Sequence, residues 1–428
     1  MIKTEYPRIG ETVLRETLES GLRVVVVPKP GYRKRYAFFA ARYGGMDMRF
    51  KLGDTWHDTP AGIAHYLEHK MFDTESGDAM RSLTQNGADP NAFTANSMTA
   101  YYFECTEHFE ENLKILLSFV SVPYFTRESV DKERGIISQE IRMTEDTPDW
   151  RVYKNLLGCL YRASPVRVPI AGTVESIREI TPETLYACHK AFYAPSNMLL
   201  AVVGDVDADA VAALAREVLP TERGEAIERD YGAEEEPRAF QKSMTFPMEI
   251  AAPQFLVGFK CPGAPDGEAL LRQSLIGTMA ADVLLGDSSA LYMRLYGEGL
   301  INGSFGGDFD QLPGLSYLYA GGECKEPETV ARAIMDEAAR LGHGGVDAAF
   351  FEQIRRANFG ASLRALGSFE NIAVSMADGC FRGFDPYRFP EVYDSISKAD
   401  VEAFLRENIV EERRAMSLLV PLGGGADA

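Results

Sequence analysis

The sequence has no run of roughly 18 or more apolar residues, so nothing in it asks for a membrane-spanning helix. Its start, Met1-Ile2-Lys3-Thr4-Glu5-Tyr6-Pro7, lacks the apolar core of a secretory signal. Cysteine is sparse. The six thiols, at 105, 159, 188, 261, 324 and 380, include no Cys-x-x-Cys pair, and a chain this long needs no disulfide staples. Positive charge is also short: 44 Lys and Arg stand against 63 Asp and Glu, a formal net charge of −19. Nucleic acid demands a basic face and anionic membrane surfaces repel such a chain, so neither is expected as a partner. These absences together lead to the expectation of a soluble, cytoplasmic protein with scattered reduced thiols.

Against them stand 428 residues, 46% hydrophobic, too many for one core of common size. Apolar runs and alternation predict strands at 23–27 (after a Ser20-Gly21 turn), at 36–43, in two pieces within 91–105, and at 198–203. Helical spacing predicts helices at 77–86, 109–120, 126–143, 150–162 and 207–219. Residues 221–241 carry Glu234-Glu235-Glu236-Pro237 and no periodic apolar face, the composition of a linker. The second half repeats the layout of the first. Its segment 392–398 precedes a helix at 400–408 and a strand at 416–420, as 174–180 precedes a helix and the strand at 198–203. The expected fold is α+β, with two structurally similar domains, 1–222 and 243–428, joined by an acidic linker at 223–242. Each domain is expected to be a mostly antiparallel sheet with helices packed on it.

The chemistry gathers in His65-Tyr66-Leu67-Glu68-His69. On an α-helix, positions i and i+4 share a face, so His65 and His69 can hold one ion. Glu68 lies beside them and could take a proton from an attacking water. His-x-x-Glu-His is the inverted form of a zinc-peptidase motif. Pro60 suits the first turn of a helix over 59–72, and Asp58 or Thr59 suits its cap. Two structural histidines on a buried helix is the competing reading. The counterpart region of the second half, 271–295, has no histidine, so one metal site per chain is expected.

Two histidines do not complete a catalytic zinc site, which takes three protein ligands and leaves a fourth position open. Of the other histidines, His57 lies just before the motif helix. A carboxylate is favoured, since His₂Glu is a known catalytic set. Residue chemistry alone leaves Glu133, Glu140 and Glu145 equal.

His65 to Phe72 resembles the active-site helix of the pitrilysin family of zinc peptidases, the inverzincins. The resemblance continues through Asn91-Ala92-Phe93-Thr94, Tyr101-Tyr102, the stretch Glu133-Arg134-Gly135-Ile136-Ile137-Ser138-Gln139-Glu140, Pro169-Ile170-Ala171-Gly172-Thr173, and Phe192 to Met198. It implies that His65, His69 and Glu140 are the ligands of a zinc ion (Zn2+). Glu68 becomes the general base and Glu133 a supporting carboxylate near the metal. Asn91, Ala92, Phe93 and Thr94 become an edge strand that pairs with the substrate main chain. The two domains would form half of a clamshell.

The sequence departs from that family at one place. Where complete single-chain members supply an arginine and a tyrosine from the second half, Arg294 falls at the arginine, but Asn302 stands near the tyrosine and Tyr296 comes too early. The chain also has about half the length of those members. The resemblance therefore implies a zinc-dependent endopeptidase that works with a related, non-identical subunit as a heterodimer, with a homodimer as the alternative. A non-catalytic scaffold subunit of a larger complex is the competing function.

Overall fold

Val24, Val25, Val26 and Val27 are all buried. A strand with one wet face would alternate; an unbroken apolar run needs cover on both faces. In the computed structural model, which describes residues 1–422, both faces are covered. The strand Arg23–Pro28 lies inside a seven-stranded sheet ordered Ile2–Tyr6, Glu11–Thr17, Arg23–Pro28, Met198–Gly204, Arg35–Ala41, Thr99–Cys105, Asp89–Thr94. It runs parallel to Met198–Gly204 and antiparallel to Glu11–Thr17. Val24, Val26, Phe39, Leu200 and Val202 share a core with Leu113, Leu116 and Leu117 of the helix Phe109–Ser121. The helix Phe369–Arg382 packs on Met198–Gly204 and Arg35–Ala41.

That last helix comes from the second half of the chain, and the loan is returned. The helix Pro148–Leu160, from the first half, packs on Arg414–Pro421 and Gln254–Pro262 of a second sheet. Gly258 makes room for it: a Cβ there would lie 2.9 Å from Leu156 Cδ2. The chain accordingly divides into two units. One holds Met1–Arg142, Val168–Tyr231 and Leu363–Pro386; the other holds Met143–Arg167, Gly232–Ser362 and the described residues from Tyr387 on. The expected division into 1–222, a linker at 223–242 and 243–428 missed this exchange. An amphipathic helix declares an apolar face but not which sheet will cover it.

The second sheet is ordered Ser243–Met248, Arg414–Pro421, Gln254–Pro262, Leu315–Glu323, Gly306–Leu312. Its first pair is parallel and the rest antiparallel. The same directions run from Arg23–Pro28 to Asp89–Thr94 in the first unit. The internal repeat is thus a repeat of topology, in an α+β fold with two similar sheets. No helix among the described residues is long and apolar enough to cross a membrane.

The acidic segment also differs from the expected linker, because its charges have partners. Ile227–Arg229 pairs with Arg49–Leu52 in the first unit, and Tyr231 donates to Asp47 at 3.0 Å. Further on, in the second unit, Glu235 accepts backbone N–H bonds from Arg162, Ala163 and Ser164 and a 2.8 Å bond from the Lys260 ammonium. Burial by itself raises the Glu235 carboxyl; Lys260 and the three N–H groups outweigh it and hold it down at about 2. A depressed carboxylate contributes stability above its unfolded pKa of about 4.3, and that stability is lost as pH falls from there to its folded value. The second unit should therefore lose stability between about pH 5 and about pH 2. At neutral pH, Glu235→Gln leaves a buried ammonium without its counter-charge and should cost roughly 3 kcal/mol. Urea unfolding measures this, and an unchanged midpoint would refute it.

Candidate metal centre

The motif helix is Ile63–Met71, shorter than the expected 59–72. Pro60 and its neighbours lie outside it. Thr59 is held instead at the end of an earlier strand, donating its N–H and its hydroxyl to the Met48 carbonyl at 2.8 and 2.9 Å. Gly62 takes the cap position at φ 93°, in the left-handed region. A Cβ on Gly62 would stand 2.5 Å from the Ala171 carbonyl oxygen, so the helix starts where two backbones touch. Ser176 donates to the Ala61 carbonyl at 2.8 Å and fastens the same junction.

Helical spacing then sets the faces. Tyr66 and Leu67 are wholly buried, while His65 and His69 stand together with ring centroids 4.6 Å apart. Tyr66 donates its hydroxyl to the Val130 carbonyl, which ties this helix to Arg127–Glu145. Arg134 ties Arg127–Glu145 down in turn, donating to the carbonyls of Ile180 at 3.1 Å and Ile177 at 3.4 Å. Residue chemistry did not single out either anchor, because a hydroxyl or guanidinium reaching for a distant carbonyl has no local pattern.

Glu133 and Glu140, two turns apart, meet the histidines. Glu133 Oε1 lies 3.0 Å from His69 Nδ1. His65 Nε2 is 3.4 Å from Glu140 Oε1, and His69 Nε2 is 3.5 Å from Glu140 Oε2. Ligand atoms about 2.0–2.1 Å from one ion at tetrahedral angles stand about 3.3–3.4 Å apart. The two carboxylate oxygens each reach one histidine at about that spacing, and one ligand atom from each of the three side chains lies within 4.8 Å of the others, so the group can close on one ion; the Glu133 contact at Nδ1 leaves His69 Nε2 for it. Among the described residues, His65, His69 and Glu140 form the group able to hold a metal. Glu145, equal to the other two glutamates on residue chemistry, is not in it. His57 stacks on Phe50, with centroids 5.2 Å apart. His189 is a core residue hydrogen-bonded to the Val120 carbonyl, and burial pushes its imidazole down to about 4.

Glu68 is 8% exposed and adjoins this group. Burial pushes its carboxyl up, against a hydrogen bond from Thr94 and the neighbouring histidines. The His65 contact holds Glu140 below the usual carboxylate range. Burial opposes charge on His69, but Glu133 and the other carboxylates outweigh it and raise the imidazole. Asn91, Ala92, Phe93 and Thr94 lie in Asp89–Thr94, the edge strand of the sheet. Phe93 packs with Phe38 and Tyr102, and the Ala92 N–H donates to Asn91 Oδ1 at 2.8 Å. Thr94 donates to Glu68 Oε2 at 2.6 Å, a contact across 26 residues that no spacing announced. In the second unit, the Asn302 amide donates to Glu323 at 3.1 Å, Arg294 lies 3.7 Å from Glu298, and Tyr296 stacks on Tyr292.

Residues 55–174 match the family described as insulinase (peptidase family M16), and residues 179–358 match the peptidase M16 inactive domain. The chain is 39% identical over 428 residues to a Bacillus subtilis (strain 168) protein named uncharacterized zinc protease YmfH, covering 98% of this chain and 100% of that one. Among solved structures, an M16-like peptidase from Alicyclobacillus acidocaldarius is 34% identical with a TM-score of 0.92, covering 98% of this chain and 100% of that one. A protease from Helicobacter pylori, 19% identical, shares the fold with a TM-score of 0.81 over 96% of this chain and 99% of its own. On the end-to-end match with the Bacillus protein and the two family matches, the chain belongs to the insulinase family, peptidase family M16.

Proposed function

We propose that the chain is a zinc-dependent endopeptidase that hydrolyses peptides or unfolded segments, and that it is the metal-bearing subunit of a two-chain enzyme. The observation that carries this is the spacing of 3.4 and 3.5 Å between Glu140 and the two histidines, with the buried Glu68 carboxylate beside them. His65, His69 and Glu140 would hold the ion, and Glu133 would orient His69. A zinc ion there supplies Lewis acidity towards water and the scissile carbonyl. Glu68 takes the proton of the attacking water and returns it to the leaving amine. Burial raises its carboxyl, which makes it a stronger proton acceptor than a carboxylate in water.

The edge position of Asp89–Thr94 supports a role for Asn91 to Thr94 in binding substrate. An edge strand presents unpaired main-chain groups, and an extended peptide satisfies them as an added strand. Recognition through main chain tolerates many side chains. The two-chain reading rests on Asn302, whose amide cannot stand in for a phenol. The six free cysteines support a reducing, cytoplasmic setting.

Metal titration tests the proposal. The stripped chain should take up one equivalent of zinc and, alone, cleave an unstructured peptide poorly. Adding a related family subunit should bring zinc-dependent cleavage to its full rate. Full activity from the lone chain would overturn the two-chain part, and cleavage that survives removal of all metal would overturn the whole.

A further inference from the structure

Behind Glu68 runs a line of hydroxyl groups that metal binding does not use. Thr94 and Thr99 face one another across the hairpin formed by Asp89–Thr94 and Thr99–Cys105. Thr99 is fully buried; its one hydroxyl proton is directed to the Tyr43 carbonyl at 2.8 Å, and the same oxygen lies 3.3 Å from Thr94 Oγ1. Thr94 stands against that buried hydroxyl, and its own single proton is directed to Glu68 Oε2 at 2.6 Å. Deeper still, the Tyr193 hydroxyl bonds with Thr99 and lies 2.8 Å from that of Tyr101. Both rings are buried, so the line is anchored in the core.

A glutamate carboxylate turns easily, because its terminal torsion has a broad energy well. A hydroxyl on a β-branched residue is far stiffer at χ1, and the register with Thr99 fixes it further. We propose that Thr94 is a positioning residue for the base: its hydroxyl holds Glu68 Oε2 and leaves Oε1 to take the proton. This rests on the reading of Glu68 as general base. It gives the edge strand two separable duties: its main chain meets substrate, while one of its side chains aims the carboxylate.

Two substitutions separate these duties. Thr94→Val keeps the branched shape and the strand preference but deletes the donor. Thr94→Ser restores the donor. Both are compared with the zinc-loaded parent under the conditions that give the parent its highest rate. Thr94→Val should lose about 10- to 100-fold in kcat, with KM within about twofold and zinc content unchanged. Thr94→Ser should stay within about threefold of the parent.

A readout independent of turnover comes from crystal structures of the metal-free proteins. The Glu68 carboxylate should leave its parental position in Thr94→Val and keep it in Thr94→Ser. Retained kcat in Thr94→Val, a raised KM at unchanged kcat, or an unmoved carboxylate would each overturn the proposal. If neither the parent nor any variant cleaves peptide, the peptidase reading fails, while the crystal structures still decide the Thr94–Glu68 contact.

Discussion

Glu68→Gln is expected to lower kcat for peptide hydrolysis by about 10²- to 10⁴-fold while the chain still binds one zinc. The amide has nearly the shape of the carboxylate and can still accept the Thr94 hydroxyl, so the side chain should stay in place. It cannot take up the proton that the attacking water must lose. The atoms that would face the ion belong to the proposed ligands His65, His69 and Glu140, and the substitution touches none of them. Loss of rate with metal content intact is therefore the signature of a base. Zinc analysis and steady-state kinetics on the same preparation supply both halves. A variant that cuts as fast as the parent removes Glu68 from the mechanism, and one that loses its zinc shows that the residue serves the site in another way.

Glu140→Gln should have the opposite signature: loss of zinc first, and of activity as a consequence. The substitution removes the single formal negative charge from the ligand set. Glu140 is 43% exposed at its side chain and belongs to no buried core, so the fold should tolerate the change. Changing a residue that only supports a ligand costs about 10–100-fold in metal affinity or activity, and losing a ligand should exceed that. Glu133→Gln provides the internal scale. It leaves all three ligand atoms and disturbs only the 3.0 Å contact that orients His69, so it should fall within the smaller range. Competition for zinc against a coloured chelator ranks the variants. Equal affinities for parent and Glu140→Gln would break the assignment of the third ligand.

Much of the site was legible because helices turn periodic spacing into shared faces. His65, Glu68 and His69 needed only the recognition of one helix. Glu133 and Glu140 also share a helix face, but residue chemistry could not choose between them and Glu145. The resemblance to a known family made that choice, and the geometry brings Glu140, not Glu145, to the histidines. The start of the helix was misplaced by four residues, 59 against 63. Pro60 and Asp58 form a plausible local start, but the chain begins its helix at Gly62, where the Ala171 backbone comes within reach. That cause lies more than a hundred residues away, and local propensity has no access to it.

The acidic segment failed for a related reason. A run of glutamates ordinarily reads as a wet surface. Glu235 is instead occupied by three backbone N–H groups and the Lys260 ammonium, none of them near it in sequence.

By itself, the sequence determined most of the elements, the repeated layout, the two histidines as candidate ligands and Glu68 as the candidate base, these three residues from spacing within one helix. Only the tertiary structure decided which sheet covers the helices Pro148–Leu160 and Phe369–Arg382, which carboxylate meets the histidines, and that Thr94 donates to Glu68. The physical reason is common to all three. An apolar face, a carboxylate or a hydroxyl announces that it needs a partner, but many partners of equal chemistry are available along the chain. The choice among them is made when packing brings one within reach and excludes the rest.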